Sequence, residues 1–194
     1  MRIRRGNRIW TGSALLKRTS VLVYGVGNAI CIEDLSRLLD CRIYIRGNNN
    51  RITIEKSVFL NEAELWIEDD DNTITIGEHT TITGRTHLAA IEGTSIIIGT
   101  DCLFSSDIRF ATGDSHSLTD LEGRRLNESE SIIIGNHVWI GAKVICLKGV
   151  RVASNCMVGT GSLLNGRFEQ ENVVLAGNPT RVLKSGINWL SERI

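Results

Sequence analysis

No apolar run in this chain approaches the roughly 18 residues needed to cross a bilayer, and no signal-peptide core follows its N-terminal arginines. These absences predict a soluble, cytoplasmic protein. The formal net charge is 0, which removes the electrostatic argument for a nucleic-acid partner, although residues 1–18 are locally basic through Arg2, Arg4, Arg5, Arg8, Lys17 and Arg18. The five cysteines have no CxxC spacing and are odd in number, so neither a zinc ribbon nor a complete disulfide framework is indicated. Cys102 aligns with Thr80 and Val58 in a repeat, and Cys146 and Cys156 fall where apolar or small residues recur, as expected of reduced core thiols. There is a single proline and only 5% aromatic residues, against 19 glycines and stretches rich in valine, isoleucine and threonine. That balance favours strands linked by tight corners over helices. A length of 194 residues suits one domain with a substantial core.

What the chain has in abundance is repetition. Asn28, Asn50, Asn72, Thr94 and His116 stand 22 residues apart, in step with Ile30, Ile52, Ile74 and Ile96. Residues 23–44, 45–66, 67–88 and 89–110 are four such units, with middles reading ICIEDLSRL, ITIEKSVFL, ITIGEHTTI and IIIGTDCLF. Apolar residues alternate in each, which predicts short strands with one buried face. Polar corners follow at residues 47–50, 69–72 and 92–94. Asparagine tolerates left-handed backbone angles and bonds its neighbours, so a column of asparagines suits a corner. The histidine that ends the column marks where a structural slot is given over to chemistry.

From residue 131 the period shortens. Ile134, Ile140, Cys146, Val152, Val158 and Leu164 recur every six residues. Six residues make one short strand and a corner, three strands close an 18-residue triangular coil, and coils stacked about 4.8 Å apart make an all-β parallel β-helix. The 22-residue units are the same coil with about four residues added at its corners. The column from Ile96 to Ile132 advances by 36, which is 14 more than one unit. We place the excess at about residues 117–130, a charged loop directly after His116. One domain, 1–194, is expected. It comprises an N-terminal cap without clear repeat over 1–22, extended coils over 23–116, the loop, hexapeptide coils over 131–184, and a tail over 185–194.

Three motifs in order carry a family resemblance: Ile134-Gly135-Asn136-His137-Val138-Trp139-Ile140-Gly141-Ala142, Val158-Gly159-Thr160-Gly161-Ser162 and Ala176-Gly177-Asn178-Pro179. Over most of residues 98–184 the chain closely resembles the hexapeptide-repeat acyltransferases. Thr112-Gly113-Asp114-Ser115-His116 is similar to the histidine-bearing segment of members that acetylate sugars and capsular polysaccharides. The resemblance implies a left-handed β-helix, a handedness that periodicity alone does not give. It also implies an acetyl-CoA-dependent O-acetyltransferase that acts, without a metal, on a sugar hydroxyl of a capsular or other surface polysaccharide or its precursor. A homotrimer is implied too, with coenzyme and carbohydrate acceptor held between subunits. The 22-residue units and the corner Asn165-Gly166-Arg167, which lacks the usual Lys and Pro, depart from the family pattern. Those departures bear on the substrate and leave the reaction class standing.

An alcohol barely ionises near neutrality, so acyl transfer to a hydroxyl needs a base, and a positioned one gives about 10²- to 10⁴-fold. His116 has the right chemistry and matches the family's catalytic position; Asp114 or a backbone carbonyl would orient its ring. The resemblance puts the Ala142 N–H at the developing oxyanion, where one donor in a dry site supplies about 3–4 kcal/mol. Trp139 matches a tryptophan that in sugar-modifying relatives lies along the pantetheine arm or near the acceptor; its other reading is a subunit contact. Arg181 and Lys184 are the candidates for the coenzyme's phosphates, and Thr160 and Gly161 for its pantetheine amides. His79 and His137 share a corner with Lys56 and Asp101 and are read as solvent-exposed, while His87 is unplaced. No pattern suits a zinc site of three histidines, and Asp69-Asp70-Asp71 reads as a solvated corner before a calcium site. Two rivals stay open. One is an acetyltransferase for an amino sugar, serine or an antibiotic, and the other a non-catalytic β-helix binding through a face bearing Thr73, Thr75, Thr81 and Thr83.

Overall fold

The alternating isoleucines decide how the backbone winds. Ile30, Ile32, Ile52, Ile54, Ile74, Ile76, Ile96 and Ile98 are each at most 2% exposed, while the residues between them face outward. Fully burying one such side chain is worth about 1.5–3 kcal/mol, so the pleat has one favourable orientation. In the computed structural model, which describes residues 2, 3, 5–192 and 194, the strands form three parallel sheets around this core. Sheet A has eight strands, from Arg2–Ile3 to Leu163–Leu164, and sheet B eight, from Arg8–Trp10 to Arg167–Phe168. Sheet C has nine, from Leu15–Lys17 to Thr180–Ser185. Each turn of chain adds one strand to A, then B, then C, so the molecule is a three-sided prism. The last pairing, Val173–Gly177 with Thr180–Ser185, is antiparallel and closes the C-terminal end. The described residues contain no helix.

Register follows the sequence column for column. Ile52, Ile74 and Ile96 stack in 22-residue steps, and beyond the loop Ile134 pairs with Val152 in an 18-residue step. The pairing also reaches further toward the N-terminus than the repeat suggests. Arg8, Ile9 and Trp10, in the segment read as a cap, pair with Ala29, Ile30 and Cys31, and Leu15–Lys17 pairs with Arg37–Leu39. This first coil hides from sequence inspection because Trp10 and Leu15 are about half exposed, which blurs its apolar alternation.

Most corners carry at least one residue in the left-handed region. Between sheets B and C these are Gly12, at 44°, and Leu35, Ser57, His79, Asp101, His137, Asn155 and Asn172, with φ between 54° and 63°. At the corner from A to B the residue just before each column position is left-handed, namely Gly27, Asn49, Asp71 and Gly93, as are Gly25, Gly47, Asp69 and Glu92, whereas the asparagine column itself is not. Asn28, Asn50 and Asn72 instead point inward, each at most 1% exposed. Each Oδ1 accepts the main-chain N–H of the column residue one coil on, at 2.9, 2.8 and 3.0 Å, and the ladder ends at Thr94. Asn7 begins it, accepting from Asn28.

His116 does not continue this ladder. Ile96 pairs with Ile132, and the Ser95 N–H donates to Ser131 Oγ, so the register position over Thr94 belongs to Glu130. The chain leaves the prism after Ile108–Ala111 and returns at Ile132–Ile134. The departure therefore begins ahead of His116, at the corner from A to B. The longer coils are lengthened beside the same corner: sheet A strands Arg42–Arg46 and Ala63–Glu68 run 5 and 6 residues, against 2 at Ile145–Cys146.

One other expectation changes, and the reading of Cys102, Cys146 and Cys156 as core thiols holds. Thr73 and Thr75 belong to sheet B and Thr81 and Thr83 to the sheet C side, so they form no single threonine face. Four cysteines, Cys41, Cys102, Cys146 and Cys156, are buried free thiols, and burial pushes Cys41 and Cys102 up to about 11. Cys31 sits half-buried on the outer face of sheet B.

Candidate active site

Residues 112–131 fold into a stapled excursion. Its base is closed by the Glu130 N–H donating to the Thr112 carbonyl at 2.8 Å, and its arms by the Leu126 N–H donating to Leu118 at 2.7 Å. Arg125 forks onto both oxygens of Glu92 at 3.0 and 2.8 Å, and Ser129 donates to Glu92 at 2.6 Å. These donors hold the Glu92 carboxyl below its ordinary range. Asn127 binds three points at once. Its Nδ2 donates to the His116 carbonyl and to Asp114 Oδ2, both at 2.8 Å, and its Oδ1 accepts the Leu118 N–H at 2.7 Å.

The His116 side chain is exposed at the head of this loop, directly after Ser115, whose φ is 62°. Its ring makes no hydrogen bond or ion pair among the described residues. Asp114 is engaged elsewhere. Its Oδ2 accepts from Lys148 Nζ at 2.6 Å and from Asn127, which lowers its pKa, and no bond joins it to the His116 ring among the described residues. Beneath the loop two clefts open on the outer face of sheet A, sharing Arg109, Ala111, Gly113 and Ser115. One, of about 300 Å³, extends over Ile145, Cys146 and Leu147. The other, of about 110 Å³, extends toward Trp66 and His87.

The remaining candidates group elsewhere. Trp139 stands half-buried on the outer face of sheet C, paired with Leu103 and Met157, its ring 6.1 Å from Trp189. Ala142 follows at the corner from C to A. Its N–H has no partner among the described residues, and its carbonyl accepts from the Gly161 N–H at 2.8 Å. A Cβ on Gly141 would come within 2.8 Å of the Thr160 nitrogen, so this corner requires glycine to bring the two coils together. Thr160 and Gly161 are exposed one coil further on. Arg181 and Lys184 are exposed on the last strand, Thr180–Ser185, which Thr180 Oγ1 ties to the Leu163 carbonyl at 2.8 Å. The structure thus brings Trp139, Ala142, Thr160, Gly161, Arg181 and Lys184 to sheet C and its corner with A. His116 and Asp114 stand at the corner from A to B, opposite sheet C.

Among the other histidines, His79 is exposed beside Asp101 at 3.4 Å. His137 is not solvated as expected: Trp189 stacks on it at 4.2 Å, donating from Nε1 to the His137 carbonyl at 2.8 Å. This contact folds the tail, which is not helical, back onto the prism. His87 Nδ1 lies 2.8 Å from Glu64 Oε2 in the smaller cleft. A carboxylate only accepts, so Nδ1 carries the proton and Nε2 the lone pair in the neutral ring. Asn127 and His87 are the residues that sequence reading missed.

No family model matches the chain. The polysialic acid O-acetyltransferase of Neisseria meningitidis is 32% identical over 178 residues, covering 91% of this chain and 82% of that protein. The galactoside O-acetyltransferase of Lactococcus lactis subsp. lactis (strain IL1403) is 32% identical over 103 residues, and the match spans 49% of its length. Among solved structures, the polySia-specific acetyltransferase NeuO superposes with a TM-score of 0.92 at 28% identity, over 96% of this chain and 86% of that one. A galactoside acetyltransferase in complex with coenzyme A gives 0.51 at 25% identity over 62% and 58%.

Proposed function

Because the chain belongs to the hexapeptide-repeat O-acetyltransferases, enzymes built on a left-handed parallel β-helix, we propose that it acetylates a carbohydrate hydroxyl at the expense of acetyl-CoA, with His116 as general base. The acceptor is a capsular or other surface polysaccharide or its precursor, and the reaction belongs to the cytoplasm. Resemblance to polysialic acid and galactoside O-acetyltransferases supports the acceptor class. The coenzyme A bound to the galactoside acetyltransferase supports the donor. The observation that carries the reading is the loop itself. The excursion that leaves the prism is tied down through the side chains of Glu92, Asp114, Arg125, Asn127, Ser129 and Lys148, and presents an imidazole with no partner among the described residues.

The His116 lone pair takes the proton of the acceptor hydroxyl as that oxygen bonds to the acyl carbon, and returns it to the sulfur as the carbon–sulfur bond breaks. Asn127 fixes the backbone of His116, so the ring's search is limited to its own side-chain rotations. The unpaired Ala142 N–H donates to the carbonyl oxygen as charge develops there. Trp139 lies along the acyl arm, Thr160 and Gly161 meet its amides, and Arg181 and Lys184 meet its phosphates. Asp114 acts on Lys148 and Asn127 and so steadies the loop rather than the ring.

His116 and Trp139 cannot meet within one chain, because the corner from A to B and the face of sheet C are opposite sides of the prism. A site that uses both is completed by a neighbouring copy, which agrees with a homotrimer.

Coenzyme A release with polysaccharides and nucleotide sugars tests the activity, and mass analysis with mild-base lability identifies an ester product. His116→Ala should lower turnover about 10²- to 10⁴-fold while coenzyme A still binds; near-normal turnover excludes this base.

A further inference from the structure

The outer face of sheet A carries a row of rings that the chemistry above leaves unused. Tyr44 stacks on Trp66 with centroids 4.0 Å apart and planes 20° from parallel, and Tyr24 tilts against Tyr44 at 5.9 Å. Register continues the Tyr44–Trp66 column into Ala89 and then Ala111. Two rings are followed by two methyl groups. That step opens the cleft of about 110 Å³, with Trp66 at one end and Gly113 and Ser115, next to His116, at the other. Its rim is polar: Glu68, His87 and Arg109 line it, and Glu64 holds His87. Arg42 lies over the Tyr44 and Trp66 rings at 5.6 and 5.2 Å and pairs with Glu64 at 3.3 Å.

This combination selects a ligand class. A sugar ring has an apolar C–H face for an indole to cover and hydroxyls that need both donors and acceptors at the edge. A peptide strand would instead seek a sheet edge, and this is a face whose main chain is already paired. The position along the prism is equally selective. The rings lie in coils N-terminal to His116, and the candidates for the acyl donor lie in coils C-terminal to it.

We propose that the outer face of sheet A, from Tyr24 through Tyr44 and Trp66 to the cleft at Ala89, is a binding track for a glycan chain. It holds sugar units next to the one being acetylated. The inference rests on the carbohydrate-acceptor reading above and sharpens it, because such a track makes the enzyme prefer an oligomer to a monosaccharide.

The test measures coenzyme A release with sialic acid and galactose, each as monosaccharide, disaccharide and longer oligomer. Acceptor KM for the wild type should fall with oligomer length. Trp66→Ala should raise the oligomer KM about tenfold, the loss of one good ring contact, and flatten the length dependence with KM for acetyl-CoA unmoved. Trp66→Phe should recover most of the loss. Ala89→Leu, which fills the cleft without touching the core, should act like Trp66→Ala and decides the matter if that variant does not fold. Trp10→Ala, an exposed ring on sheet B, should keep wild-type constants. A length-independent wild-type KM, or unchanged oligomer KM in Ala89→Leu, overturns the track and leaves acetyl transfer standing. Absence of wild-type turnover on every sugar overturns the acceptor reading and the track with it.

Discussion

Asn127 sets the order of the loop. One amide satisfies the His116 carbonyl, the Asp114 carboxylate and the Leu118 N–H, three groups that the short main-chain pairing around Thr119 and Arg125 leaves to it. Asn127→Ala should lower kcat about 10- to 100-fold with KM for acetyl-CoA held, because misplacing a catalytic group by an ångström costs about that much. An unchanged kcat would show that the loop is positioned by other contacts. Asp114 and Glu92 give the loop its response to acid. Both carboxyls are held below their ordinary values of 3.8 and 4.5, Asp114 chiefly by Lys148 and Glu92 chiefly by Arg125. A depressed folded-state pKa stabilises above the ordinary value and is lost as pH falls through the folded one. The staples should therefore persist at pH 5 and release below the ordinary carboxylate range, read as cleavage within residues 117–130 by an acid-active protease. The place of His116 beside a loop was legible in sequence. The supports of the loop were not, because Asn127 reaches the His116 carbonyl and Lys148 reaches Asp114 through the fold of the loop and the next coil, which no column spacing records.

At the scale of the coil, the asparagine ladder is both structure and specification. A buried amide that accepts one coil's N–H and donates to carbonyls, as Asn50 does to Asp69 at 2.9 Å, fixes the register between turns. Asn50→Leu leaves several main-chain groups unsatisfied and should cost about 3 kcal/mol in denaturant unfolding; a change within about 0.5 kcal/mol would make the ladder incidental. Most of the coil architecture was readable because inward isoleucines and hexads recur at fixed steps. Two things were hidden for physical reasons. The left-handed slot belongs to the neighbours of the asparagines, since an inward-pointing amide and the corner's sharp turn are assigned to adjacent residues. And counting residues carried the column to His116, whereas hydrogen bonds carry it to Glu130, because the chain had already left the prism.

At the scale of the whole molecule, the prism separates the residues proposed for its site. The base proposed at one corner and the indole proposed on the opposite face are useful together only if copies of the chain are arranged so that one supplies each. The proposed site therefore spans two chains rather than one, and co-expressing two defective variants tests it directly. His116→Ala and Trp139→Ala oligomers should each lose at least about 10²-fold in coenzyme A release with a carbohydrate acceptor. Mixed oligomers made from both should regain activity, with about a quarter of the sites intact at equal expression by random assortment. Mixed oligomers that are demonstrably formed yet no more active than either parent would contradict a site shared between copies.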